Sequence, residues 1–345
     1  MKLASRSGQK TRQKKVTAIA VIIVLALAGI GAYYFTSSQT TYSGNRESIK
    51  IGVPPLESAA LIYIAEDQNF FARNGLNVTI KNYEPAIAGI DGILAGVVDL
   101  AGASEYAVVV NAFRKENISI IASGDEIQSV YLIGRRDRGI ENVTDLIGKK
   151  IGIPLGTNVD FFLARFLNLH GIDPRDVAIK DVRPAQFVNA TVNGEVDGII
   201  CWQPYINEIQ DRLGDSIVIW PAQSSQLVYG VIVCRDDWAA RHPELIERFL
   251  KSLDQASEYA IDHPDEAKAI VQRELHFSGA YMAAVWPENH FSLSLDQSLI
   301  TAMEDEGRWM INSNLTREKK IPDYRNYIYT KGLEEIKPES VNTIR

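Results

Sequence analysis

Lys50-Ile51-Gly52-Val53-Pro54 returns about a hundred residues later as Lys150-Ile151-Gly152-Ile153-Pro154. Each copy reads as a short apolar strand closed by proline. Downstream, Leu94-Ala95-Gly96-Val97-Val98-Asp99 is echoed by Val192-Asn193-Gly194-Glu195-Val196-Asp197. Between these echoes, Asn74-Gly75-Leu76 and His170-Gly171-Ile172 each follow a helix-like stretch and read as glycine helix stops. The order is the same in both passages, so the chain contains two similar α/β units. Two such units imply a cleft, and clefts are where small ligands bind.

Outward from these units, the N-terminus differs in character. Lys2, Arg6, Lys10, Arg12, Lys14 and Lys15 form a basic run without an acid, and Val16 to Phe35 is uncharged. As a helix, residues 16–35 span roughly 30 Å, the thickness of a bilayer core. The basic flank places the N-terminus in the cytoplasm and the body outside, with 16–35 as a transmembrane anchor. Ala26-Leu27-Ala28 reads alternatively as a signal-peptidase site. Residues 36–48 are polar and suit a tether. Subtracting the six basic residues from the net charge of −7 leaves −13 for residues 16–345, the wrong sign for a nucleic-acid-binding body. Cys201 and Cys234 lie in apolar strand-like runs and read as two buried thiols, with pairing as the alternative. Asn-x-Ser/Thr sequons begin at Asn77, Asn117, Asn142, Asn189 and Asn314.

The periodicity predicts strands at 49–53, 77–83, 98–101 and 118–122, then at 151–153, 177–182 and 196–201, and a further one at 229–234. Helices are expected at 59–74, 87–95, 106–115, 160–170, 185–192 and 243–261. The second unit is therefore an insert, with lobe 1 at 49–124 and 226–345 and lobe 2 at 125–225. The chain must cross between the lobes near Ser123-Gly124-Asp125 and near Ala222 to Gln226. Small polar crossings of this kind serve as hinges.

In open α/β sheets, ligands sit beyond the carboxyl ends of the strands. That rule nominates Pro55, Leu56, Glu57 and Ser58 after the first strand, then Ser104 and Glu105, Gly124, Thr157 and Asn158, and Trp202 and Gln203. Tyr229, at the return crossing, is a further candidate. Ser104, and either Thr157 or Asn158, stand at helix starts; as a facing pair they would favour an anion, and singly they are plain caps. Trp202 is a stacking platform or a core aromatic. Pro54 and Pro154 should open two loops that face each other across the solute. Asp99 and Asp197 read as turn ties. The chain has no Gly-x-Ser-x-Gly, no His-Glu-x-x-His, no phosphate loop and no cysteine or histidine cluster with metal spacing, so no cofactor or metal is expected.

Further phrases carry a family resemblance. They are Ala65-Glu66-Asp67-Gln68-Asn69-Phe70-Phe71 with Asn74-Gly75-Leu76-Asn77-Val78, Asp145-Leu146-Ile147-Gly148-Lys149-Lys150-Ile151-Gly152, Trp202-Gln203-Pro204 and His242-Pro243-Glu244-Leu245. With the two Gly-x-Val-Asp phrases, their shared order resembles the periplasmic solute-binding proteins of ABC transporters for nitrate, sulfonates, taurine and related compounds. Those proteins share a fold with thiamin-pyrimidine precursor proteins. The resemblance implies a bilobed type II periplasmic-binding-protein fold and a monomer. It further implies closure on a small anionic or zwitterionic solute and delivery to an ABC permease with its ATPase. Glu57 and Glu105 are awkward for a purely anionic ligand, so a zwitterion or an aromatic heterocycle stays open. The alternatives are a membrane-tethered sensor, or an enzyme on the same fold with Cys201 as its nucleophile.

Overall fold

Eleven strands form two sheets in the computed structural model, which describes residues 42–83 and 88–343. They are β1 (Glu47–Val53), β2 (Leu76–Asn82), β3 (Leu100–Ser104), β4 (Ile118–Ile127), β5 (Tyr131–Arg135), β6 (Lys150–Ile153), β7 (Ala178–Asp181), β8 (Gly198–Cys201), β9 (Ile217–Pro221), β10 (Val228–Arg235) and β11 (Asn289–His290). The sheet orders are β11-β4-β10-β3-β1-β2 and β7-β6-β8-β5-β9. Asn45–Arg345 is one compact unit, and of the separate unit Met1–Gly44 only residues 42–44 are described. The expected basic tail and anchor at 1–35 lie outside the described residues. Among the described residues no helix is long and apolar enough to cross a membrane.

The repeated phrases become equivalent strands. β1 runs parallel to β2 and β3, and β6 runs parallel to β7 and β8. In the first sheet β3 pairs antiparallel with β10; in the second, β8 pairs antiparallel with β5. β10 and β5 are the strands that follow a crossing from the other lobe, so each lobe is completed by chain arriving from its partner. The motif residues hold the register. Asp99 N–H donates to Lys50 O at 2.8 Å while its carboxylate accepts the Lys50 N–H at 2.8 Å, and Asp197 repeats both bonds with Lys150 at 2.8 and 2.9 Å. Gly75 and Gly171 have φ of 75° and 73°, the left-handed geometry of a helix stop.

Several expectations shift. The helix foreseen at 59–74 is broken at Asn69, whose φ is 58°, into Ala60–Asp67 and Phe70–Arg73. β4 continues through Ser123-Gly124-Asp125, so the chain leaves the first sheet after Ile127 rather than at 123–125. These small residues serve close strand packing: Gly124 falls in a bulge against β10, and Ser123 exchanges backbone bonds of 2.8 and 3.1 Å with Ser294. The strands β5 and β9 and the helix Tyr205–Leu213 lie where no element was foreseen. The helix Pro243–Asp262 buries Leu245, Ile246, Phe249, Leu250, Leu253 and Ala256, the face expected from its spacing.

Each sheet has its own core. Alternate residues of the second sheet serve opposite faces: Leu132 and Ile200 pack toward Phe162 and Phe166, Ile133 and Ile199 toward Phe187. Cys201 and Cys234 are free, buried and in different cores. All five sequon asparagines are exposed.

Candidate functional site

A pocket, partly open to solvent, lies where the first sheet's parallel strands end. Val53 and Pro54 from the end of β1, Ala103 and Ser104 from β3, Gly124 and Ile127 from β4 and Val228 to Ile232 from β10 contribute to its walls. Leu61 and Ile62 of the helix Ala60–Asp67, and Leu253, complete the apolar lining. The position follows from sheet geometry, because parallel strands all deliver their carboxyl ends to one edge.

Of the sequence-nominated residues, Leu56, Ser58, Ser104, Gly124 and Tyr229 line this pocket. Pro55, Glu57 and Glu105 adjoin those lining residues in the chain without lining it. Thr157, Asn158, Trp202 and Gln203 belong to the second lobe, and neither they nor Pro154 reach its walls. Thr157 Oγ1 donates to Pro154 O at 2.8 Å instead of capping its helix. Trp202 is half-buried, edge-on to Phe187 at 5.3 Å and to Tyr205 at 6.0 Å. Gln203 Nε2 donates to Asn207 Oδ1 at 3.2 Å.

Ser104 caps its helix, accepting the Ala107 N–H at 3.4 Å. The two helix starts read as an anion trap lie on either side of Trp309, whose ring stands 6.2 Å from Tyr106 and 5.7 Å from Phe161. Each start already carries an acid in its first turn, Glu105 and Asp160, so an anion bound there would meet a carboxyl of the chain itself.

Carboxyls dominate the surroundings. Glu105 is fully buried and accepts the Tyr229 N–H at 3.0 Å, while its other oxygen has no partner. Burial raises its carboxyl above the ordinary range, and Glu306, buried nearby with both oxygens unpartnered, is raised by burial and then by Glu105. Glu57 accepts a hydrogen bond from the Tyr281 hydroxyl at 2.8 Å, and burial raises it too. Among the described residues, no arginine, lysine or histidine lines the pocket. Among them, no group of three or more His, Cys, Asp or Glu residues is placed to hold a metal ion. Cys201 faces the Phe187 core, where burial raises its thiol well above the ordinary range, which removes the thiolate a nucleophile needs.

A family model described as NMT1/THI5 like matches residues 57–267, more than half the chain and most of the motif-bearing region. This chain belongs to the NMT1/THI5 like family. Among curated relatives of this NMT1/THI5 like chain, the taurine-binding periplasmic protein of Escherichia coli (strain K12) is 26% identical over 64% of this chain and 69% of its own. A putative aliphatic sulfonates-binding protein of Bacillus subtilis (strain 168) is 25% identical over 74% of this chain and 76% of its own. In fold, the chain is similar to the periplasmic aliphatic sulphonate binding protein SsuA of Escherichia coli. The TM-score is 0.72 at 14% identity, over 83% of this chain and 93% of that one. The desulfurization enzyme DSZB shares the fold at a TM-score of 0.59 and 14% identity, over 85% of this chain and 99% of that one.

Tyr281, Glu288 and Gln223 escaped the sequence reading. The first two lie in the C-terminal region, outside the repeated phrases, and folding brings Tyr281 to Glu57 and Glu288 to Gln128, neighbours of the lining residues. Gln223 is fully buried at the return crossing, where its amide donates to Ile127 O at 2.9 Å and Gln226 O at 3.0 Å and accepts the Val130 N–H at 2.9 Å.

Proposed function

We propose that this chain is the extracytoplasmic solute-binding component of an ABC importer, closing two lobes on a small solute and passing it to a permease served by an ATPase. The observation that carries the reading is the pocket at the strand ends beside the two crossings, 128–130 and 222–227. The curated relatives named for taurine and aliphatic sulfonates support it. Lobe 1 supplies Pro55 to Ser58, Ser104, Glu105, Gly124 and Tyr229, and the inserted lobe 2 brings Thr157, Asn158, Trp202 and Gln203 on closure. Residues 16–35 anchor a monomer to the membrane with its body outside, which keeps captured solute near the permease.

A ligand that binds only the folded state raises the melting temperature, by about 2.7 kcal/mol of stability at a hundredfold excess over Kd. A thermal screen of nitrate, sulfonates, taurine and pyrimidines should therefore give a concentration-dependent rise with at least one class. A flat response across all four rejects the reading. Copurification with a kinase instead of a permease and an ATPase would favour the sensor.

A further inference from the structure

Glycine weakens a strand unless something needs its missing side chain, such as a close backbone or a ligand. At most strand glycines of this chain the need is packing. A Cβ added to Gly52 would stand 2.8 Å from the Tyr83 ring, one on Gly198 would stand 2.6 Å from Ile133 O, and one on Gly134 would overlap Ile140. Gly152 and Gly230 are also tight, at 3.1 Å from Val182 and 3.2 Å from Asp125 Cβ. Gly102 of β3 and Gly124 of β4 differ. A Cβ on Gly102 would come no closer than 3.5 Å to Val53 Cγ1 and 3.6 Å to Pro54 Cδ. One on Gly124 would meet only Leu61 Cδ1 at 3.8 Å and Ile232 Cδ1 at 4.0 Å. Neither residue has the left-handed φ that reserves a position for glycine. Both line the pocket, and so do Val53, Pro54, Leu61 and Ile232, whose side chains theirs would touch. The strand glycines with room for a side chain are thus the two whose side chains would fill the pocket.

The bulge accounts for the close approach of β4 to β10 on one side of Gly124 and leaves its pocket side empty. Among the described residues no charged side chain lines the pocket, and its walls beside Gly124 are the hydrocarbon of Leu61, Ile62 and Ile232. Water needs polar partners to fill such a space, whereas a hydrocarbon group gains by leaving water, about fourfold in affinity for each methylene buried. We propose that Gly102 and Gly124 set the specificity of the site: their missing side chains open an uncharged slot that admits an alkyl or aryl group of the solute, whatever its polar end. This assignment rests on the solute-binding reading and adds the residues that choose among solutes by the size of their apolar part.

Calorimetric titration of the full chain with two matched pairs tests it: ethanesulfonate against hexanesulfonate, and acetamide against hexanamide. In whichever pair binds, the longer member should bind at least about tenfold more tightly, because its added methylenes leave water. Gly124→Val should remove most of that preference, weakening the longer member at least about tenfold and the shorter by less than about threefold. Gly124→Ala should weaken the longer member in the same direction and melt at or above the parent temperature, since a Cβ fits and the unfolded chain loses freedom. It carries the test should Gly124→Val fold poorly. No preference for the longer members in the parent overturns the assignment and leaves solute binding intact. A preference undiminished in the folded variants overturns it, as does a lower melting temperature for Gly124→Ala, which would assign the glycine to packing. Binding by none of the four probes also overturns it; solute binding is then judged separately, by whether the purified chain releases a small molecule on denaturation.

Discussion

Glu306 is buried on the helix Gln297–Asn312 with neither carboxylate oxygen partnered, and Glu105 shares its surroundings. In the folded chain burial pushes Glu105 up to about 8 from its ordinary 4.5 and raises Glu306 well above that value. Below pH 4.5 folded and unfolded states both hold these protons, and the pair gives stability no pH dependence. From 4.5 toward 8 the unfolded chain releases protons that the folded chain keeps, so stability falls as pH rises. Glu306→Gln should therefore gain stability relative to the parent by about 1–3 kcal/mol at pH 8 and by far less at pH 5. Denaturant melts at the two pH values measure this, and a gain independent of pH would contradict it. Asp99 and Asp197, read from the echo as turn ties, instead accept the Lys50 and Lys150 N–H groups 49 and 47 residues earlier in the chain, a pairing that no local pattern showed.

At the level of elements, the two crossings are tied by one side chain. Gln223 satisfies buried backbone groups of residues 127, 130 and 226, so the outgoing and returning chains are joined side by side. Gln223→Ala leaves these groups without partners, which should cost about 2–4 kcal/mol. Hydrogen exchange should speed selectively at Val130, whose N–H loses its acceptor. Unchanged protection there would mean that other contacts hold the crossing. The strands β1, β2, β3, β6, β7, β8 and β10 were legible because apolar runs end in proline, glycine or polar residues. β5 and β9 were not, because their place is set by pairing with β8 and with each other.

For the whole molecule, the lobes touch away from the crossings through Trp309, which packs against both cores. Trp309→Ala should destabilise the fold by about 2–3 kcal/mol, less than a fully buried tryptophan because the ring is partly exposed. It should also open the lobes, measurable as a larger radius of gyration in solution scattering. An unchanged radius would assign the lobe arrangement to the crossings alone.

The repeated phrases by themselves pointed to two α/β units, and the strand-end rule and the crossings to Leu56, Ser58, Ser104, Gly124 and Tyr229, which line one pocket. Local periodicity and punctuation carry that information, because strand direction and turn chemistry are properties of neighbouring residues. Only the tertiary structure decided that Thr157 and Trp202 stand off the pocket and that Tyr281 pairs with Glu57 across 224 residues of chain. It likewise decided that Asp125 and Glu105 are buried without a cation. Burial and long-range pairing depend on how the sheets stack, and no local pattern encodes them.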